Sequence, residues 1–143
     1  ADLEAWVDAG GSLVWIGYHP YSQACDLIDS LPTAWGIACD DSSMGSYWSG
    51  SVTSFSTHAL TTGLSSIAGL GGELWSVSSP VTTLASTGST PVLVALEPGD
   101  GRVAAFADEW ALYNAGSGSA DISAGDNQQL VENLWAWAVE LPL

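Results

Sequence analysis

Two apolar runs on either side of a tight turn, residues 91–97 and 103–107, constrain the fold of this chain more than any other feature. Neither run alternates cleanly between apolar and polar residues, so each strand would be largely apolar on both faces. Strands of that kind are usually buried on both sides, as in a central sheet covered by helices. The intervening Pro98-Gly99-Asp100-Gly101 supplies the residues that a hairpin turn requires. We therefore predict an antiparallel hairpin within an α/β sheet.

Polar and aromatic residues follow two of the predicted strands directly. Asp108, Glu109 and Trp110 come after the run 103–107, while Tyr18 and His19 come after the apolar run 12–17. Open α/β sheets place their sites at the carboxyl ends of the strands, so we predict that these five residues form a ligand site. A histidine beside two carboxylates could act as a general base or hold a metal ion. The alternative is a loop histidine without a chemical role.

The remaining periodicity predicts further helices and strands within one domain, residues 1–143. Helices are expected over residues 2–9, 22–31 and 127–140, with Leu3, Trp6 and Val7 facing inward in the first and Trp135 facing inward in the last. Additional strands are expected over residues 12–17, 35–39, 47–55, 73–77 and 81–85.

The charge balance limits the partners of the chain. One cationic residue, Arg102, stands against 16 acidic residues, which gives a formal net charge of −15. Such a surface cannot neutralise phosphates, so nucleic acid and anionic membranes are excluded as partners. No apolar run approaches the roughly 20 residues that a membrane-spanning helix needs. Neutral carbohydrate, other surface proteins, further copies of the chain, and Ca²⁺ or another divalent cation remain.

Cys25 and Cys39 are the only cysteines, and their spacing fits no zinc motif. We predict a disulfide between them, which would contribute ~3 kcal/mol on a chain-entropy model. Two buried thiols are the alternative. The predicted disulfide and a surface rich in Ser, Thr and Gly favour an extracellular or cell-surface location.

Three sequence blocks together carry a family resemblance. They are residues 3–17, residues 58–64 (HALTTGL), and residues 101–108 with the later Asp126-Asn127 and residues 130–137. In order and spacing they resemble the class I glutamine amidotransferase-like superfamily, closest to its ThuA-like and DUF4350-like members without amidotransferase activity. The resemblance implies a flavodoxin-like three-layer α/β/α sandwich with a mostly parallel central sheet and an antiparallel hairpin. The chain starts too late to contain the family's N-terminal strands, so we expect a fragment, a smaller sheet, or a sheet completed by another chain.

The resemblance also implies where an amidotransferase would carry its Cys-His-Glu triad. The nucleophilic Cys would follow the strand at residues 13–17, but residues 17–19 read Gly-Tyr-His. The His and Glu would follow the strand at residues 103–107, but residues 108–110 read Asp-Glu-Trp. Cys25 lies in the next predicted helix, where it cannot occupy the nucleophile turn. The triad is absent, and no amidotransferase or peptidase activity is expected.

Six aromatic residues are not committed to the inner face of a predicted helix: Tyr18, Tyr21, Trp35, Tyr47, Trp48 and Trp110. If exposed, they would suit sugar stacking or a protein interface, and if buried they would fill the core. Several carboxylates could converge on Ca²⁺, although no EF-hand spacing is present.

The sequence therefore favours a non-catalytic, secreted or cell-surface domain that serves binding or self-assembly into an oligomer or filament. The alternative is a carbohydrate-active or metal-assisted hydrolytic domain with its site near His19, Asp108 and Glu109. A structural module without any ligand of its own is a third reading.

Overall fold

The computed structural model describes residues 2–17, 28, 30–39, 48–72 and 75–139. Its strands are β1 (Ser12–Ile16), β2 (Ile37–Cys39), β3 (Trp48–Val52), β4 (Ile67–Gly72), β5 (Trp75–Val77), β6 (Thr82–Thr87), β7 (Thr90–Leu96) and β8 (Arg102–Phe106). The α-helices are α1 (Leu3–Asp8) and α2 (Asn127–Val139). Three 3₁₀ helices are Thr33–Trp35, Ala59–Thr61 and Glu109–Leu112.

The largest sheet contains four strands in the order β1-β8-β7-β6. β8 pairs in parallel with β1 and antiparallel with β7, and β7 pairs antiparallel with β6. β7 and β8 are buried along nearly their whole length, as their apolar sequences require. The hairpin that the sequence predicts at residues 91–107 is therefore present and lies in the core.

Two smaller antiparallel sheets pair β2 with β5 and β3 with β4. β4 packs closely against its surroundings because it is rich in glycine. A Cβ on Gly69 would overlap the ring of Trp48, and one on Gly72 would overlap the carbonyl of Ala107. Trp48 also contacts Phe106 of β8 edge to face, with 5.9 Å between ring centroids. β3 and β4 thus sit directly on the end of the main sheet.

The expected flavodoxin-like three-layer α/β/α sandwich with a mostly parallel sheet is wrong. The described residues are mainly β, and β1–β8 is the one parallel pair among them. The connections give the physical reason. Only residues 88–89 join β6 to β7 and only residues 97–101 join β7 to β8, whereas parallel neighbours need a crossover of about a dozen residues or more.

α1 is fastened to the turn between β7 and β8. The Asp100 amide donates to the carbonyl oxygen of Asp8 (3.0 Å), at the last turn of α1. Gly101 can approach this helix only because it lacks a side chain, since a Cβ there would overlap the Val7 carbonyl oxygen. The Arg102 amide then donates to the Gly11 carbonyl oxygen (3.1 Å), and this hydrogen bond holds the start of β8 alongside β1. The hairpin turn and α1 therefore form one packed unit.

The aromatic residues divide between core and surface differently from the sequence prediction. Trp35 and Trp48 are buried in the core. Of the helix residues expected to face inward, Val7 is buried as predicted, whereas Leu3, Trp6 and Trp135 are exposed. On α2, Trp137 is buried instead of Trp135. Tyr18, Tyr21 and Tyr47 lie outside the described residues.

Cys25 also lies outside the described residues, and with it the predicted disulfide to Cys39 at the end of β2. Within the described part of the chain, which includes Cys39 but not Cys25, no disulfide is found. None of the helices described in the structure has the length and apolar character needed to cross a bilayer.

Candidate functional site

The predicted ligand site would lie where β1 and β8 end. Of its five residues, Asp108, Glu109 and Trp110 directly follow β8, while Tyr18 and His19 fall outside the described residues. The structure therefore gives the geometry of the β8 half of the site.

Asp108 is fully buried and holds two elements together with its carboxylate. Oδ1 accepts a hydrogen bond from the Trp110 amide (3.0 Å), which caps the 3₁₀ helix Glu109–Leu112. Oδ2 accepts a short hydrogen bond from the Leu70 amide of β4. One side chain thus starts a helix and links the end of β8 to β4, as a structural carboxylate does.

Two more side chains, at the start of α2, hold β4 in the same way. Oδ2 of Asp126 accepts from the amides of Ser65 (2.6 Å) and Ser66 (2.8 Å). The side-chain amide of Asn127 pairs with both backbone groups of Ala68: Oδ1 accepts from its N–H (3.0 Å) and Nδ2 donates to its carbonyl (3.1 Å). Asn127 therefore binds β4 as a neighbouring strand would.

The contacts with Ser66, Ala68 and Leu70 form a row along one edge of β4. Alternate residues of a strand present their amides to the same edge, and the opposite edge of β4 is paired with β3. Side chains thus satisfy these outer amides. Backbone also meets this edge at one point, through the bridge between Ile67 and Gly125, where the Asp126 amide donates to the Ser66 carbonyl (2.8 Å). We call the three side chains Asp108, Asp126 and Asn127 the β4 clasp.

Trp110 supports the loop that follows the 3₁₀ helix. Its ring lies against Gly118, where a Cβ would come within 2.8 Å of the indole, and it meets Tyr113 with 4.7 Å between centroids. Glu109 is partly buried beside it. The described half of the predicted site is therefore packed with the protein's own side chains.

Asp121 organises the loop between the 3₁₀ helix and α2. Its carboxylate accepts from the amides of Gly116 (2.7 Å), Gly118 (3.2 Å) and Ser123 (2.9 Å), and from the Ser123 hydroxyl (2.6 Å). The hydroxyl and amide of Ser123 chiefly lower the pKa of Asp121 to about 2, because they stabilise the charged form. The amides of Ser66 and Ser65 likewise lower the pKa of Asp126.

His58, the second histidine of the sequence, has a structural role. Its Nδ1 accepts from the Leu60 amide (3.1 Å), and Thr61 Oγ1 accepts from the His58 amide (3.1 Å), so the two residues form a capping box. Burial lowers the pKa of His58, and its ring packs against Trp137 at 5.7 Å. The ring is neutral in this arrangement, because a protonated Nδ1 could not accept the bond.

Arg102, the single cationic residue of the sequence, binds the C-terminal end of α2. Its Nη1 donates to the Trp137 carbonyl (3.0 Å), and its guanidinium lies 5.6 Å from the centre of the Trp137 ring. A cation at the C-terminal end of a helix is favourable because the last carbonyls carry partial negative charge.

The acidic residues of the described segments do not converge on a common point. No group of three or more His, Cys, Asp or Glu residues that could hold a metal ion is found within these segments. Asp100 is a turn residue, and Asp108, Asp121 and Asp126 bind backbone amides.

Comparisons with known proteins extend the fold description. No family model matches the chain, and no curated protein matches it. Similar solved structures include the cytoplasmic protein STM3548 from Salmonella typhimurium, with a TM-score of 0.72 and 16% identity over 95% of this chain. The mmIFT52 N-terminal domain has a TM-score of 0.71 and 16% identity over 99% of this chain. The cytoplasmic protein STM1381 from Salmonella typhimurium LT2 has a TM-score of 0.65 and 19% identity over 95% of this chain.

The chain spans only part of each of these solved structures: 58%, 70% and 56% of their lengths, in the same order. At such identities the likeness shows the fold alone. Two of the three proteins are named as cytoplasmic, against the extracellular or cell-surface location that the sequence favoured, and the names describe those two proteins alone.

Little in the sequence indicated the β4 clasp. Asp126 and Asn127 stand at a helix start and Asp108 at a strand end, where each has an ordinary local explanation. Residues 67–72 read Ile-Ala-Gly-Leu-Gly-Gly, and β4 was not predicted at all, because glycine disfavours strands. Without β4, the three side chains had no visible common target.

Replacing Asn127 should destabilise the protein far more than replacing a matched asparagine of the same helix. Asn127 is fully buried, and Asn127→Ala would leave several buried backbone groups without partners, at a cost of about 3–4 kcal/mol. Asn133 bonds the carbonyls of Leu60 and Thr62 from a half-exposed position, so Asn133→Ala should cost about 1 kcal/mol. Urea unfolding of both variants measures the difference, and equal losses would contradict the role of the clasp.

Stability should fall in acid through Asp121. Its folded pKa of about 2 lies below the ordinary aspartate pKa of 3.8, so the unfolded chain takes up the proton first. The contribution of Asp121 is therefore complete above about pH 4 and is lost as the pH falls towards about 2. Urea midpoints of the wild type should decline more steeply over this range than those of Asp121→Asn. Parallel pH profiles for the two proteins would show that Asp121 is not the titrating group.

Proposed function

We propose that this chain is a non-catalytic domain that binds another protein through exposed apolar side chains. One observation carries the proposal: Leu3, Trp6, Trp135 and Val139 are exposed by 38, 50, 61 and 65%. Scattered exposed apolar residues are ordinary, but two tryptophans on the outer faces of two helices are a costly surface unless something covers them.

The position of Asp108 supports a non-catalytic reading. A carboxylate that acts as general acid, base or nucleophile must reach the reacting atoms of a substrate. Asp108 is fully buried, and its two oxygens accept hydrogen bonds from the amides of Trp110 and Leu70. The alternative, a carbohydrate-active or metal-assisted hydrolytic site near His19, Asp108 and Glu109, would require this carboxylate to leave the clasp.

The net charge favours a different protein over a second copy as the partner. Two copies with a formal charge of −15 each repel one another until salt screens them. Self-assembly therefore remains a narrower form of the proposal that needs high salt or cations. The resemblance to the glutamine amidotransferase-like superfamily remains a hypothesis that rests on the sequence blocks alone.

If Trp135 serves binding, the fold should not need it. We expect Trp135→Gln to change the free energy of unfolding by no more than about 0.5 kcal/mol. The matched change Trp137→Gln, at a residue that is 6% exposed two positions away, should cost about 3 kcal/mol or more. Urea unfolding measures both, and an equally large loss in Trp135→Gln would make that side chain part of the core.

The hydrolytic alternative predicts that a ligand binds at the end of β8, which amide NMR spectra can detect. Two-dimensional amide NMR spectra recorded with neutral oligosaccharides and with CaCl₂ should leave the amides of Asp108, Glu109 and Trp110 unshifted. Saturable shifts confined to these amides would contradict the proposal and favour a ligand site at the end of β8.

A further inference from the structure

We infer that the outer faces of α1 and α2 form a single docking surface for a basic, amphipathic segment of a partner protein. This inference rests on the proposed function and names the site and the chemistry of its partner. The surface is defined by the exposed side chains of Leu3 and Trp6 on α1 and of Trp135 and Val139 on α2, and is called the α1–α2 surface below.

A cleft lies between the segment that follows α1 and the end of α2. The ring of Trp6 lies against Gly11, directly after α1. The adjoining cleft is lined by Gly10, Ser12, Asp100, Arg102, Ala138 and Val139. Gly10 and Ser12 follow α1, whereas Ala138 and Val139 end α2, so the cleft connects the C-terminal ends of the two helices. Of the four side chains that define the surface, Val139 lines the cleft.

Trp135 and Val139 extend the apolar part of this surface along α2. They are four residues apart and therefore lie on one face of the helix, one turn from each other. Leu134, which precedes Trp135, and Trp137, which lies between Trp135 and Val139, are buried instead. The exposed stripe is thus distinct from the face with which α2 packs on its own fold.

Carboxylates outnumber cations around the apolar residues: Arg102, which lines the cleft, is the single cationic residue of the sequence. Asp2, Glu4 and Asp8 lie on or beside α1, Asp100 lines the cleft, and Glu132 is exposed on α2. Arg102 is turned to the Trp137 carbonyl and ring. An apolar centre with an acidic rim complements a segment that has apolar anchors and Lys or Arg around them.

The same charges argue against the other occupants of such a surface. A second copy would bring carboxylates against carboxylates, and an anionic lipid surface would be repelled in the same way. Lys and Arg side chains of a basic partner could also stack on the rings of Trp6 and Trp135. Amphipathic helices commonly bind grooves through apolar anchors at helical spacing.

The test uses a synthetic helical peptide as the probe, with Leu along one face and Lys elsewhere, labelled with fluorescein. Anisotropy should show binding to the whole chain in the micromolar range. Binding should weaken about tenfold when salt is raised tenfold, because the rim charges are screened. An analogue with Glu in place of every Lys should not bind.

Matched variants locate the bound peptide. Trp135→Gln or Val139→Gln should weaken binding about tenfold, since each removes an apolar anchor. Leu112→Gln should leave it unchanged, because Leu112 is exposed by 46% but belongs to the 3₁₀ helix after β8, outside the α1–α2 surface. Amide shifts on binding should fall on α1 and α2.

Three results would overturn the inference: no binding of the Lys peptide, equal binding of the Glu analogue, or equal loss in Leu112→Gln and Trp135→Gln. None of these results would by itself remove the proposed function, because a partner of other chemistry or another surface could serve it. The proposed function fails separately, if Trp135→Gln unfolds the protein or if oligosaccharide or Ca²⁺ binds at Asp108, Glu109 and Trp110.

Discussion

The outer edge of β4 is the constraint on which the rest of this structure depends. A strand paired on one side only leaves every second amide without a partner, and a buried amide without a partner is costly. Here β3 pairs with one edge, and Asp126, Asn127 and Asp108 bind the amides of Ser66, Ala68 and Leu70 on the other. These three side chains come from the start of α2 and the end of β8. One row of hydrogen bonds therefore holds the helix, the main sheet and the β3–β4 strand pair together.

This arrangement changes what the end of β8 can do. A buried carboxylate whose two oxygens already accept backbone hydrogen bonds is withdrawn from solvent and from any substrate. Asp108 is therefore suited to joining elements and poorly suited to chemistry on a substrate. Exposed large apolar side chains lie at Leu112 and Tyr113 after β8 as well as on α1 and α2. The two exposed tryptophans, Trp6 and Trp135, lie on the helices, and the binding function proposed for the chain follows from them.

The sequence predicted those elements whose pattern is strong and local. The β7–β8 hairpin followed from two buried apolar runs around Pro98-Gly99-Asp100-Gly101, and both described α-helices followed from their periodicity. β4 could not be predicted, because its glycines serve close contacts with Trp48 and Ala107 that no local pattern reveals. The orientation of α1 and α2 was misjudged for a related reason: Trp6 and Val7, or Trp135 and Trp137, fit an inward face almost equally well until the sheet beneath them is known. The position of Asp108 was predicted, but its role depends on β4.

Hydrogen exchange of individual β4 amides tests the central claim most directly. The account predicts that the outer amides of Ser66, Ala68 and Leu70 are protected to nearly the same degree as the amides of Ile67 and Gly69 that face β3. It further predicts that Asn127→Ala removes this protection at Ala68 first. Rapid exchange of the three outer amides in the native wild-type protein would contradict the account, because β4 would then have an open edge and Asp108 would be free for another role.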